Sequence, residues 1–229
     1  MENNLIKVLD HGHVRLVESM GSDLSIVRNA RVSYDAEWRA GEDDGKDAKL
    51  LNYLLKNKHT SPFESCVFTF DVKAPIFVLR HWMRHRTQSY NEISARYSEL
   101  PEEFYVPELD QITTQSATNK QMRTTEQNVN AEDIRRTITI ASQAAFIDYK
   151  KMIAQGCPRE LARSILPVGT YSHMFATVNL HNLFKFIQLR LHPHAQYEIQ
   201  VYAEAMLELI EPIVPISTAA FREHVLKSS

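Results

Sequence analysis

The scarcity of glycine limits the nucleotide-binding folds open to this 229-residue chain more than any other feature. The sequence has six glycines, and no two of them form Gly-x-Gly, which the phosphate loop of a Rossmann dinucleotide-binding fold requires. The segment from Gly41 to Lys46 comes nearest to a P-loop, but its spacing is one residue short. In addition, Asp47 stands where a Ser or Thr should bind magnesium. If a dinucleotide binds this chain, side chains must hold its phosphates.

The overall charge and the cysteines narrow the remaining classes of function. The net charge is −2, with 44% hydrophobic and 24% charged residues. This balance is typical of a soluble globular protein and not of a polycation that coats nucleic acid. Cys66 and Cys157 form neither a disulfide framework nor a metal-ligand spacing. The N-terminus lacks a signal-peptide layout, and no apolar run reaches membrane-spanning length. We therefore expect a cytoplasmic protein without metal, nucleic-acid partner or membrane association.

Hydrophobic periodicity predicts a single α+β domain over residues 1–229, in which helices are the majority. Polar segments at 36–46 and 111–130 are expected to be loops, and 92–97 is less regular than its neighbours. Alternation of apolar and polar residues predicts strands at 5–10, 13–18, 67–72 and 171–178. Amphipathic spacing and capping residues predict helices at 22–30, 49–56, 75–85, 133–154, 158–165, 180–191, 195–210 and 218–225.

The predicted helix at 75–85 ends in a cluster of basic residues. His81, Arg84 and His85 are three and four positions apart and share one helix face, Arg86 follows, and no acidic residue accompanies them. Burying cations is costly unless an anion meets them, and arginine suits bidentate contacts with phosphate. An anion or nucleotide site is one interpretation, and a solvated helix end stabilised by the helix dipole is another. A metal site at the two histidines is disfavoured, because the arginines would repel a dication.

The residues that follow this cluster are dense in hydrogen-bonding side chains, which is more typical of a binding site than of a surface loop. The segment Arg84-His85-Arg86, followed after seven residues by Ser94, resembles the signature of the flavin-dependent thymidylate synthases. Further segments resemble the same family in the same order along the chain. They lie at 59–64, 67–70, 73–77, 158–163, 177–179, 189–190, 194–196 and 198–200. The resemblance is weakest over 36–46 and 107–131.

This resemblance implies both a fold and a reaction. The fold would have its helices packed around a mostly antiparallel sheet. The reaction would be the reductive methylation of dUMP to dTMP, with 5,10-methylenetetrahydrofolate as the carbon donor and NADPH as the reductant through bound FAD. Sites in the family draw residues from several subunits of a homotetramer, so the same assembly is expected here.

The resemblance also implies site residues, position by position. Arg190 is expected to activate the pyrimidine by stabilising negative charge on the ring, and Ser94 to orient the nucleotide. The implied dUMP-binding residues are His81, Arg84, Glu92, Ser94, Ala95, Arg96, Arg163 and Arg190. The implied FAD-binding residues are His59, Ser61, Arg84, His85, Arg86, Asn91, Glu92, Asn179, Leu180, His181 and Lys185. Three residues of the two sets depart from the usual family pattern. His81 stands in place of a glutamine, His181 in place of an arginine, and Lys185 in place of a polar amide.

Other interpretations of these residues stay open. Ser61 stands three residues before Glu64 in a capping-box layout, so it could serve only as a helix cap. Arg190 could interact only with a helix dipole. Cys157 is the one serious candidate for a nucleophile, but it falls on no functional position of the family pattern. For the whole protein, the alternatives are an FAD-binding enzyme that modifies another nucleotide and a non-catalytic nucleic-acid-binding module.

Overall fold

The fold is built on a five-stranded antiparallel sheet, seen in a computed structural model that describes residues 4–42 and 45–228. The strands are β1 (Leu5–Val8), β2 (Gly12–Met20), β3 (Val67–Pro75), β4 (Ser89–Glu92), β5 (Thr113–Gln115), β6 (Arg123–Gln127) and β7 (Tyr171–Asn179). The order across the sheet is β1-β2-β3-β7-β4, and each neighbouring pair is antiparallel. Strands β5 and β6 form a separate antiparallel hairpin.

Helices contain more residues than strands in the part of the chain that the structure describes. They are α1 (Asp23–Arg31), α2 (Lys46–Lys56), α3 (Ile76–Trp82), α4 (Ala131–Ala154), α5 (Arg159–Ala162), α6 (Leu180–Arg190), α7 (Tyr197–Ile210) and α8 (Pro215–His224). The predicted α+β class, with helices around an antiparallel sheet, is confirmed. None of the helices in the described part of the chain is both long and apolar enough to cross a membrane.

The core lies between the sheet and these helices because the strands alternate. On β3, Phe68, Phe70 and Val72 are fully buried, and α7 packs across β1 and β2. Burying a side chain of this size stabilises the fold by about 1.5–3 kcal/mol. The rings of Phe184 and Phe221 stack with centroids 4.1 Å apart, which joins α6 to α8. Trp82 at the end of α3 packs against Phe186 of α6, with ring centroids 4.7 Å apart. The core therefore fixes the ends of both helices, which carry predicted site residues.

The opposite face of the sheet carries a charged cluster centred on Asp71, whose side chain is buried. Arg15 donates to Asp71 Oδ2 from Nε at 3.0 Å and from Nη2 at 2.6 Å. Asp71 Oδ1 meets His13 Nε2 at 3.4 Å and is hydrogen-bonded to His173 Nε2. Burial alone would raise the pKa of Asp71, but the hydrogen bonds from Arg15 and His173 outweigh it and hold that pKa below its usual value. The carboxylate is therefore ionised and paired.

Several predicted boundaries were wrong, for local reasons. The helix expected over 75–85 ends at Trp82, and the Tyr90 hydroxyl donates to the carbonyl oxygens of Trp82 and His85. Residues 89–92, expected to be irregular in part, form strand β4 on the edge of the sheet. The predicted cap at Ser61 is also wrong. A 3-10 turn spans Ser61–Ser65 with Thr60 in the cap position and no side-chain cap.

The predicted loop at 111–130 contains the β5–β6 hairpin. Polar side chains hold this hairpin together: the hydroxyls of Thr114 and Thr124 are 2.6 Å apart, and Gln115 Nε2 donates to the carbonyl oxygen of Met122 at 2.7 Å. Because these contacts involve no apolar alternation, hydrophobic periodicity could not indicate the strands.

Candidate active site

Arg190, at the C-terminal end of α6, lies against His81 near the end of α3 and His85 just after that helix. Its Nε donates to His85 Nε2 at 3.0 Å, and its Nη1 is 2.8 Å from His81 Nε2. Nη2 reaches the His81 carbonyl oxygen at 3.4 Å. A guanidinium can only donate, so both Nε2 atoms must accept, and both imidazoles are neutral with the proton on Nδ1. The His85 ring also packs edge-on against Phe186, with centroids 4.8 Å apart.

The electrostatics agree with this arrangement of protons. Burial, followed by the Arg190 charge and by the electrostatic interaction with His81, lowers the pKa of His85 to about 4. Burial and the Arg190 charge also lower the pKa of His81, and burial lowers that of Arg190 itself. No carboxylate pairs with Arg190 within residues 4–42 and 45–228. The cluster therefore carries an unbalanced positive charge and suits an anionic ligand.

Arg190 and His81 form one wall of a cleft of about 940 Å³, which we call the arginine cleft. The tip of the β5–β6 hairpin and the turn before α7 form the remaining walls. The lining residues beyond Arg190 and His81 are Gln115, Gln121, Met122, Arg123, Leu189, His192, Pro193, His194, Ala195, Gln196, Tyr197 and Gln200. The hairpin residues are not among the predicted site residues, because the family resemblance is weakest over that segment.

The hairpin is fixed over the cleft by Arg123. Its Nη2 donates to Glu198 Oε1 at 3.0 Å, and its Nη1 donates to the Gln111 carbonyl oxygen at 3.1 Å. Glu198 is buried, and it also accepts from the Tyr105 hydroxyl at 3.1 Å. The guanidinium lies over the Tyr197 ring, 5.5 Å from its centroid. Because α7 carries both Glu198 and Tyr197, the hairpin wall is tied directly to the core.

A second cleft, of about 470 Å³, lies between α2, α6 and α8, and we call it the lysine cleft. Lys56, Lys58, His181 and Lys185 supply its basic groups, and the rings of Phe63, Phe184 and Phe221 form its apolar floor. No ion pair is found for the three lysines among the residues that the structure describes. Burial and the Lys185 charge lower the pKa of His181. Basic groups beside aromatic rings suit a ligand that carries both phosphate and flat rings.

Other predicted site residues do not converge on either cleft within one chain. Arg84 and Arg86 are exposed between α3 and β4, and Arg163 is exposed at the end of α5. Arg96 is more than half exposed and pairs with Glu160 at 3.3 Å.

The neighbouring positions on β4 and beyond it are polar and partly engaged. Glu92 accepts from the Ser172 hydroxyl at 2.5 Å. Ser94 is half-buried, and its Oγ accepts from the Arg96 amide at 3.3 Å, whereas Asn91 is exposed and Ala95 is buried.

The remaining predicted flavin residues lie beside the lysine cleft or within its supporting elements. His59 and Ser61 are exposed and flank Thr60, which lines that cleft. Asn179 caps α6 by accepting from the Asn182 amide at 2.9 Å, and Leu180 is buried.

The two thiols are poorly placed for nucleophilic chemistry. Cys66 is fully buried, it donates to the Ser22 carbonyl oxygen at 3.3 Å, and burial raises the pKa of its thiol to about 11. Cys157 is partly buried and lines neither cleft. A thiolate mechanism needs an ionised and accessible cysteine, and Cys66 fails both conditions.

Comparison with known proteins gives a consistent result. Residues 15–216 match the family model described as "Thymidylate synthase complementing protein". A protein of Treponema denticola named flavin-dependent thymidylate synthase is 48% identical over 221 residues, which is 95% of this chain and 82% of that protein. One of the same name from Thermus thermophilus is 46% identical over 224 residues, 98% of this chain and 80% of the relative.

A solved structure extends the match to three dimensions. It is described as a UMP/dUMP methylase, PolB from Streptomyces cacaoi, bound with 5-Br dUMP. It superposes with a TM-score of 0.86 at 38% identity, covering 96% of this chain and 99% of that one. On the family model, the relatives and the shared fold together, this chain belongs to the thymidylate synthase complementing protein family.

Proposed function

We propose that this protein methylates dUMP to dTMP, with 5,10-methylenetetrahydrofolate as the carbon donor and NADPH as the reductant through bound FAD. The observation that carries the proposal is the Arg190 guanidinium. It is held by two neutral imidazoles, has no paired carboxylate in the described residues, and faces a cleft of about 940 Å³. Relatives that match 95% and 98% of this chain carry the name of the same activity.

In this proposal Arg190 would act on the pyrimidine of dUMP. A fixed guanidinium beside the ring stabilises negative charge that develops on it during reaction. His81 and His85 hold the guanidinium in place by accepting its hydrogen bonds. Ser94 would orient the nucleotide, and Arg84, Arg96 and Arg163 would supply the phosphate contacts, since arginine binds phosphate in a bidentate manner. Glu92 and Ala95 complete the set taken from the family pattern.

The residues around the lysine cleft fit FAD. Three lysines and His181 can meet its phosphates, and three phenylalanines offer packing for a flat ring. When bound, FAD would supply the hydride-transfer chemistry. We assign His59, Ser61, His181 and Lys185 to the flavin on this side, with Asn179 and Leu180 at the start of α6. Arg84, His85, Arg86, Asn91 and Glu92 complete the set.

A homotetramer would complete these sites. The exposed arginines on the α3–β4 connection, and Arg163 at the end of α5, lie outside both clefts of their own chain, which supports a site completed by a neighbouring subunit. Ile140 and Ile147 are 58% and 63% exposed on one face of α4, which is an apolar surface suited to subunit contact. Analytical ultracentrifugation should give four times the 26.4 kDa chain mass. A monomer with full activity would contradict shared sites.

The decisive experiment is release of tritium from dUMP labelled at ring carbon five, with the folate donor and NADPH present. We expect release and dTMP formation only when FAD is bound. UMP should be tested in parallel, because the PolB structures were solved with both 5-Br dUMP and 5-Br UMP. If the enzyme turns over UMP and not dUMP, its substrate is UMP. Salt-sensitive binding to nucleic acid without flavin would instead indicate a non-catalytic module.

We place the enzyme in the cytoplasm, in keeping with nucleotide biosynthesis and with its free thiols.

A further inference from the structure

The outer face of the sheet holds a second constellation of chemically active side chains. His13 on β2 and His173 on β7 both stand opposite Lys73 of β3 in the strand register. Asp71 lies two residues before Lys73, so it projects from the same face. None of His13, Asp71 and His173 lines the arginine cleft or the lysine cleft. The proposed methylation assigns them no role.

We propose that His13, Asp71 and His173 form a binding site for a divalent transition-metal ion of the class of Zn²⁺, Co²⁺ and Ni²⁺. One ligand atom from each residue lies within 4.8 Å of the others. Two imidazoles and one carboxylate form a ligand set that such ions accept. The site is assembled by three adjacent strands, so the sequence spacing of the ligands gave no indication of it.

The distances suit a small coordination sphere. A tetrahedral ion with bonds of about 2.0–2.1 Å places its ligand atoms about 3.4 Å apart. His13 Nε2 and Asp71 Oδ1 are 3.4 Å apart. His173 Nε2 is hydrogen-bonded to the same oxygen, so entry of an ion requires the His173 ring to turn away from that contact. His173 is the most exposed of the three ligands, with 44% of its side chain accessible, which permits this movement.

The neighbouring charges set the strength of the site. Lys73 faces the cluster but is paired with Glu103 at 2.7 Å. Arg15 is bonded to Asp71 Oδ2, so it leaves Oδ1 available while its positive charge opposes a dication. With three protein ligands, at least one coordination position remains for water. We therefore expect binding in the micromolar range, weaker than in a closed four-ligand site.

The test uses tag-free, FAD-loaded protein freed of metal by chelation. Isothermal titration with Zn²⁺ and visible absorption with Co²⁺ should each give one ion per chain. His13→Gln and His173→Gln should each weaken binding by at least about tenfold. Arg15→Gln should strengthen it, because the variant removes the competing cation and keeps the ligands. Arg15→Gln therefore distinguishes a metal site, which gains affinity, from a carboxylate cluster that loses function whenever any of its contacts is removed.

A matched control comes from the other adjacent histidine pair. The ring centroids of His192 and His194 lie 4.7 Å apart, and among the described residues these two belong to no three-ligand cluster of His, Cys, Asp or Glu. Replacing both with glutamine should leave the Zn²⁺ affinity unchanged. Loss of binding in that control, persistence of full affinity in both His13→Gln and His173→Gln, or no saturable binding up to about 1 mM Zn²⁺ would each overturn the proposal. These readouts do not depend on turnover, so failure of the proposed methylation would not affect them.

Discussion

The molecule contains two charged clusters made from nearly the same residue types, and they differ by one carboxylate. At the end of α6, Arg190 is surrounded by His81 and His85. On the outer face of the sheet, Arg15 and two histidines surround Asp71. Among the described residues the first cluster has no acid, whereas the second is built around one. Both sets of side chains are partly buried and come from separate elements.

This difference in charge balance distinguishes a cluster that needs a charged ligand from one whose own charges compensate one another. A buried ion pair balances its own charge and can persist without a ligand, although it adds little net stability. A partly buried guanidinium with only neutral neighbours leaves its charge uncompensated, which is costly unless an anion binds. The Arg190 cluster is therefore expected to control catalysis, whereas the Asp71 cluster is expected to control stability and any bound ion.

The largest expected effect follows from removing Arg190. Arg190→Ala should reduce turnover of dUMP by at least about 10³-fold, equivalent to about 4 kcal/mol, while the flavin spectrum of the protein is retained. Arg190→Lys should also be poor, since an ammonium cannot reproduce the planar fork. The matched control is Arg15→Ala in the other cluster, which should stay within about tenfold of wild type. Equal losses from the two arginines would abolish the distinction between the clusters.

Removing the carboxylate of the other cluster should act on folding instead. Asp71→Asn leaves Arg15 without its charged partner in a half-buried setting. We therefore expect the free energy of unfolding to fall by about 2 kcal/mol, with turnover of the folded protein nearly unchanged. Urea denaturation followed by circular dichroism would measure this change. A variant that unfolds like wild type but loses turnover would place Asp71 in the catalytic machinery.

Loosening the β5–β6 hairpin that forms one wall of the arginine cleft should have an effect of intermediate size. Arg123→Gln should loosen the β5–β6 hairpin from Glu198 on α7, so the arginine cleft would lose a fixed wall. We expect KM for dUMP or the folate donor to rise about tenfold, equivalent to about 1.4 kcal/mol, with a smaller change in kcat. Steady-state kinetics would measure the changes in KM and in kcat separately. A fall in kcat with constant KM would instead indicate a direct role in the reaction.

The smallest expected effect is on the pH dependence of stability. His85 has an ordinary pKa of 6.5, lowered to about 4 in the folded chain. The unfolded chain therefore binds more protons between these values, so stability is greatest above pH 6.5 and falls as the pH decreases toward 4. Because the ring is half-exposed, solvent screening limits the effect to about 1 kcal/mol. His85→Gln retains an acceptor for Arg190 and should remove this component from the curve of unfolding free energy against pH.

The Asp71 cluster should respond in a different pH range. The pKa of Asp71 lies below its ordinary value of 3.8, so its contribution is present above that value and is lost as the pH falls further. Denaturation curves from pH 7 down to about 2 would separate the two ranges. Loss of both components over one common range would contradict the assignment of different charge balances.

Sequence patterns predicted the parts of the fold that rest on apolar alternation. Strand β3 and the long helix α4 were expected within a few residues of their observed limits, because burial on one face leaves a regular spacing. The β5–β6 hairpin was missed because threonine and glutamine side chains stabilise it. Strand β4 was missed because it is short and polar at the edge of the sheet.

The candidate site was predictable only in part, for a similar reason. The segment Arg84–Ser94 and the position of Arg190 could be matched to a family pattern. The contact of Arg190 with both histidines joins residues 105 and 109 positions apart, and no local spacing encodes it. The same is true of the Asp71 cluster, whose members come from three strands.

The hydrogen bonds of Arg190 have a consequence for conformational entropy. Of the five N–H groups of a guanidinium, three are already engaged by His85 and His81. A free arginine side chain has about 2 kcal/mol of rotamer entropy to lose when it is immobilised. Here much of that loss occurs during folding, before any nucleotide arrives. In the proposed complex the nucleotide therefore spends less of its own interaction energy on ordering this side chain, so the two histidines influence affinity through Arg190 in addition to any direct contact.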